Sequence, residues 1–157
     1  SIGTFDVQLM VSNTMGNDTE IKNDYITVKD CEFFTNGFNN WTSNGWNPST
    51  SPITYDGNSL YCWGGNTSTP LTFTLSKSFQ NIPNNFKVTF WYKFYSGGGD
   101  LKLKIDNNTI WTGQSTSSGW INEVVSISQG GNLTLKFEST LNGTSSVYLD
   151  NICIEGQ

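Results

Sequence analysis

Hydrophobic and polar residues alternate one for one along most of this chain. From Thr4 to Val11, Phe5, Val7, Leu9 and Val11 interleave with Thr4, Asp6, Gln8 and Met10. A period of two puts one set on each face of a β-strand. Asn13-Thr14-Met15-Gly16-Asn17-Asp18 then supplies turn chemistry, and a second run, Thr19 to Val28, carries Ile21, Tyr25, Ile26 and Val28. The theme returns at Leu71 to Leu75, Phe86 to Tyr95, Leu101 to Ile105, Leu133 to Phe137 and Val147 to Ile154. Turn clusters lie between these runs: Gly97-Gly98-Gly99-Asp100, Asp106-Asn107-Asn108, Gly130-Gly131-Asn132 and Leu141-Asn142-Gly143-Thr144. Strands at intervals of roughly ten residues predict an all-β, antiparallel sandwich. No window keeps helical periodicity for long, and β-branched residues and Gly are too frequent for helices.

Parity assigns faces. Phe90, Tyr92 and Phe94 share one side of a strand; Trp91, Lys93 and Tyr95 share the other. An unpaired lysine is costly to bury, so Lys93 marks the open side. In the next run Leu101, Leu103 and Ile105 point inward and Lys102 and Lys104 outward. The predicted surface therefore holds Trp91, Lys93, Tyr95, Lys102 and Lys104, with Trp46, Trp63 and Trp111 reaching it from loops. Open aromatic rings stack on the C–H faces of sugars, and amide, ammonium and carboxylate groups around them bond hydroxyls. The competing reading has Trp91 covered by a loop or by the N-terminal hairpin. The polar tract from Asn36 to Thr54 carries Trp41 and Trp46. Such a loop suits a binding surface, or else a tryptophan that plugs an open end of the sandwich. The plug suits Trp41 better and the surface suits Trp46 better.

Composition narrows the chemistry. The 157 residues suit one full-sized domain, or one domain with a small appendage. All eight basic residues are Lys, there is no Arg or His, and the net charge is -5. No basic face can be assembled to neutralise nucleic-acid phosphates. Histidine catalysis, histidine-ligated zinc and an arginine clamp on phosphate are excluded. Aromatic residues make up 14% of the chain, which separates it from disordered sequences. No apolar run is long enough to span a membrane. The start at Ser1 without Met fits a processed protein or an excised fragment. The five Glu form no E-x-D-x-E run, so a glycosidase, which needs two carboxylates about 5–9.5 Å apart, is disfavoured and no enzyme is expected. Cys31, Cys62 and Cys153 form no C-x-x-C pair, which argues against a zinc ribbon or a thioredoxin-type motif.

Residues 1–29 hold only two strands, and an isolated hairpin is marginal in water. They must pack on the body, complete a sheet in another chain, or be the tail of a truncated domain. Gly3, Phe5, Val7, Leu9, Val11, Asn13, Gly16, Asp18, Tyr25, Ile26 and Val28 fall where the closing hairpin of a polycystic-kidney-disease-type (PKD) repeat places such residues. Residues 1–29 thus resemble the last two strands of that repeat. The resemblance implies an extracellular, multi-module protein, and no activity.

Residues 30–157 form the main body. It opens with Phe34, Gly37 and Trp41, continues through Val88-Thr-Phe-Trp-Tyr92 and Gly119-Trp120, and closes with Tyr148-Leu-Asp-Asn-Ile152. This succession resembles the jelly-roll sandwiches of non-catalytic carbohydrate-binding modules and of adhesive meprin-type (MAM) domains. The resemblance implies a polysaccharide or cell-surface glycan as partner, in a secreted or cell-surface setting. It also implies a structural Ca2+ at Asp150 in the closing strand; Glu32, Asp56 and carbonyls of the Asn36–Gly37 loop are the candidate further ligands, and the alternative is that Asp150 accepts backbone N–H bonds at a strand end. If first and last strands pair as in such jelly rolls, Cys31 and Cys153 come within disulfide reach and Cys62 is left a buried thiol. All three reduced is the alternative. The competing function is a structural or adhesive module of a cell surface or filament, self-associating through residues 1–29.

Overall fold

The computed structural model describes residues 2–50, 57–96, 98–114 and 119–156. Within them every regular element is a strand: β1 (Gly3–Asn13), β2 (Gly16–Glu32), β3 (Thr42–Asn44), β4 (Asn47–Ser49), β5 (Ser59–Trp63), β6 (Thr67–Ile82), β7 (Phe86–Tyr95), β8 (Gly99–Ile105), β9 (Asn108–Gln114), β10 (Ile121–Ile127), β11 (Gly131–Gly143) and β12 (Ser146–Gly156). They form two antiparallel sheets. The five-stranded sheet runs β3-β6-β11-β8-β9. The seven-stranded sheet is organised around β12. One edge of β12 carries β7 and then β10; along its other edge β5, bearing β4, and the end of β2, bearing β1, follow each other.

Alternation explains the core between the sheets. Phe90, Tyr92 and Phe94 of β7 and Leu60 and Cys62 of β5 are buried from one sheet; Leu135 and Phe137 of β11 and Leu101, Leu103 and Ile105 of β8 are buried from the other. The Phe90 and Phe137 rings meet edge to face with centroids 5.0 Å apart, a favoured aromatic geometry. Trp41 closes one end against Phe79 and Phe137, with centroids 6.2 and 6.1 Å away. Pro70 lies inside β6, where its missing N–H would break a ladder. It is tolerated because β3 pairs only with Thr74 to Ser76, which leaves that edge of β6 open at Pro70.

The N-terminal hairpin joins this body at its root. Lys29 to Glu32 of β2 pair with Glu155 to Ile152 of β12, and Cys31 faces Cys153 directly. The two sulfurs are bonded at 2.11 Å, linking positions 122 residues apart in sequence. Gly3 and Gly156 approach so closely that a methyl on Gly156 would lie 2.7 Å from the Gly3 Cα. Beyond the root, among the described residues, β1 and the rest of β2 pair only with each other. Phe5, Leu9, Val11, Tyr25 and Ile26 are exposed there, and Met15 at the tip is 93% exposed.

Candidate functional site

β5, β12 and β7 lie side by side, and their register sets aromatic residues in rows on the sheet's outer face. Ser146 stands between Trp63 of β5 and Tyr95 of β7; Tyr148 stands between Tyr61 of β5 and Lys93 of β7. Directly paired residues share a face, and strands lie about 4.8 Å apart, so these side chains neighbour one another. Tyr61 stacks on Tyr148 at 5.7 Å with planes 21° apart. Trp120, just before β10, meets the Tyr148 ring edge-on at 6.5 Å and 72°. The last row on this face pairs Trp91 with Asn122 of β10 and with Asp150 of β12.

A groove of about 330 Å3 runs among Tyr61, Trp63, Tyr95 and Tyr148, with Ser96, Thr144 and Ser146 at one side. Trp63 is 49% and Tyr95 54% exposed. The polar side is pinned: Ser146 Oγ donates to the Tyr95 carbonyl at 3.1 Å, and Ser96 Oγ to the Thr144 carbonyl at 3.0 Å. Burial holds the Tyr148 hydroxyl above the ordinary phenol range, the neighbouring phenols Tyr61 and Tyr95 add to this, and a hydrogen bond with Ser146 opposes it. Tyr148 therefore stays a neutral donor and acceptor at any physiological pH. No Asp or Glu is among the described residues that line the groove.

The residues expected to form one surface divide into three groups. Trp91, Lys93 and Tyr95 do share the outer face of β7, and Trp63 joins them from the end of β5, a strand rather than a loop. Trp46 does not: only 2% exposed, it fills the core, because Ser43 Oγ accepts its backbone N–H at 3.1 Å and turns the loop inward. Trp111 also departs. Its ring packs inside on Phe90 and Tyr92 at 5.0 and 5.2 Å, across a gap kept by Gly113, where a methyl would overlap the indole. Lys102 and Lys104 lie on the outer face of the other sheet, bound to Asp100 at 2.6 Å and Glu138 at 2.5 Å. Tyr61, Tyr148 and Trp120 belong to the face with the groove and are absent from the surface that alternation in the sequence predicts. Parity held the signal for two of them: Tyr148 sits between inward Val147 and Leu149, and Tyr61 between inward Leu60 and Cys62.

The expected metal ligands are not gathered. Asp150 is fully buried at a bulge that breaks the register of β12, and its Oδ1 accepts the N–H of Asn151 at 2.7 Å. Glu32 is held by the Lys77 ammonium from the facing sheet. Asp56 lies outside the described residues. Among the described residues no three His, Cys, Asp or Glu side chains come together as a metal site. Two buried oxygens have no hydrogen-bond partner: Asn151 Oδ1, next to Asp150 in β12, and Ser59 Oγ, one residue before the Leu60 that pairs with Leu149.

No protein-family model matches the chain, and no curated protein matches it. Its fold is shared with solved structures of low sequence identity. A carbohydrate-binding module, TmCBM61, solved in complex with β-1,4-galactotriose, superposes with a TM-score of 0.66 at 14% identity, over 80% of this chain and 94% of that one. The K1 cleaved adhesin domain of Lys-gingipain from Porphyromonas gingivalis W83 gives 0.69 at 18% identity, over 83% and 99%. The carbohydrate-binding module CBM36, solved with calcium and xylotriose, gives 0.52 at 18%, over 82% and 98%. These likenesses show an all-β sandwich of the kind used by carbohydrate-binding modules.

Proposed function

We propose that the chain is a non-catalytic carbohydrate-binding module of a secreted or cell-surface protein, and that polysaccharide lies on the outer face of the seven-stranded sheet. The observation that carries this reading is the groove walled by Tyr61, Trp63, Tyr95 and Tyr148 on a rigid β scaffold. Rings that are half exposed and held by neighbouring rings offer apolar area at little entropic cost, and their hydroxyls orient the ligand. The neighbours solved with galactotriose and xylotriose support a glycan as the ligand class. A disulfide between Cys31 and Cys153 supports an oxidising compartment. The described groove lacks the carboxylate pair that glycoside hydrolysis needs.

Affinity electrophoresis through gels holding β-1,4-galactan or xylan tests the reading. The chain should be retarded, and Trp63→Ala and Tyr148→Ala should each restore free migration while the melting curve stays cooperative. Unretarded wild type in every polysaccharide gel would overturn it.

A structural calcium belongs to the same reading. Asp150, Asn151 and Ser59 offer a buried carboxylate, an amide oxygen and a hydroxyl, the hard oxygen donors that calcium takes. Glu32, engaged by Lys77, is not among them. Melting in a chelator is expected several degrees below melting in calcium, and coincident curves would remove the ion from the account. A second reading uses the hairpin as a PKD-like element that pairs with a neighbouring chain. Its support is the exposed apolar row Phe5, Leu9, Val11 and Ile26, on a β1 that has only one partner. Sedimentation of the full chain against a Leu9→Lys variant tests it: association lost in the variant supports pairing, and monomers in both refute it.

A further inference from the structure

Lys93 has a place unlike that of the other lysines. Lys22, Lys29, Lys77, Lys87, Lys102 and Lys104 each pair with a carboxylate, and Lys136 donates to Asn107 Oδ1. Among the described residues Lys93 makes no ion pair and no hydrogen bond. It does not stand at the rim. Tyr148 faces it across the strand pair, Trp91 and Tyr95 flank it at two residues' distance on β7, and Trp120 meets the Tyr148 ring. Lys93 is half-buried on this face, and no ring lies within cation–π distance of its ammonium among the described residues. Long stems of this kind lie on apolar surface while the ammonium stays outward. The result is one unpaired positive charge at the centre of an aromatic face, in a protein whose net charge is -5.

We propose that the saccharide taken by this face is anionic, and that Lys93 binds its carboxylate or sulfate while Tyr148, Tyr95 and Trp63 stack on the sugar rings. The proposal rests on the carbohydrate-binding reading and specifies its ligand. Its logic is local. The molecule's net negative charge opposes long-range attraction of a polyanion, so selectivity must come from contact. An ammonium standing on an apolar face is less screened once a ligand covers it than one in open water. A neutral glycan laid over this face would strip water from that ammonium and offer only hydroxyls in its place. An anion supplies a charge-assisted hydrogen bond instead.

The test uses the full chain in affinity gels of polygalacturonate, a sulfated galactan, neutral galactan and xylan, at low and at high salt. Wild type should be retarded most by one of the acidic polymers, and which of the two identifies the anion as carboxylate or sulfate. Lys93→Gln should weaken that retardation about tenfold and leave retardation by neutral polymers within about twofold. Lys93→Arg should keep the acidic preference, and salt should shrink the gap between wild type and Lys93→Gln. Equal retardation by neutral and acidic polymers, or a Lys93→Gln effect that is the same on both, would overturn the anion while leaving carbohydrate binding intact. No retardation in any gel would overturn both.

Discussion

Tyr148 and Trp46 show how a single register position decides a residue's role. Tyr148 alternates with buried Val147 and Leu149, so it must face outward, and β5 and β7 supply the residues beside it. Trp46 lies in a polar tract where alternation gives no information, and its inward turn depends on the Ser43 hydroxyl. The expected consequences differ. Trp63→Ala should change unfolding free energy by less than about 1 kcal/mol, as half-exposed surface positions do, whereas Trp46→Ala should cost about 3–5 kcal/mol as a buried large-to-small change. Urea denaturation separates the two. Cys62 gives a pH test. Burial holds its thiol far above the usual range, opposed by hydrogen bonds from Ser139 and the Val147 backbone. A raised folded-state value means that the unfolded chain loses the proton first. The contribution is complete below the ordinary thiol range and is lost as pH climbs above it, and Tyr92 and Tyr148, also raised, extend the loss through the phenol range. Melting temperature should therefore fall steadily on the alkaline side. Cys62 should ignore a thiol reagent until the protein is unfolded; rapid labelling of the native chain would contradict its burial.

Strands were legible one by one, and their partners were not. The inward faces of β7, β8 and the closing strand follow from alternation alone, because each has one buried side. Yet β8 follows β7 in sequence and lies in the other sheet, which is why Lys102 and Lys104 left the expected surface. No residue pattern marks that crossing. The strands β9 and β10 escaped notice for a related reason: edge strands bury few side chains, so NTIWTGQ and INEVVSI alternate weakly. The root of the hairpin is the element with most at stake. Lys29 and Lys87 both reach Glu155, at 2.7 and 3.4 Å. The hydrogen bond from Lys29, more than the charge of Lys87, draws Glu155 below its ordinary carboxyl range against the opposing effect of burial. A lowered folded-state value stabilises above the ordinary carboxylate range and is lost as pH falls through the folded one. The Cys31–Cys153 bond closes a long loop here, and its loss should cost about 2–5 kcal/mol. The paired Cys31→Ser, Cys153→Ser variant should melt well below wild type and lose amide protection in Lys29 to Glu32 first. Unchanged protection there would mean that backbone pairing alone holds the arm.

At the scale of the molecule, two sheets around an aromatic core carry a face of rings on one side and a polar, ion-paired face on the other. The sandwich could be read from the sequence because its alternation is nearly continuous. The proposed binding face could be read only in part, since it is assembled from β5, β7 and β12, strands far apart in the chain. Ligand binding should stabilise the folded state by mass action, so a recognised oligosaccharide should raise the melting temperature of wild type more than that of Tyr148→Ala. The most direct measurement of the central claim is an indole N–H titration by NMR with the polysaccharide fragment that gels identify. Six tryptophans give internal controls. Trp63 and Trp120 should shift in a saturable way while Trp41 and Trp46, buried in the core, stay fixed. Saturable shifts that spare Trp63 and Trp120 and fall elsewhere would contradict it.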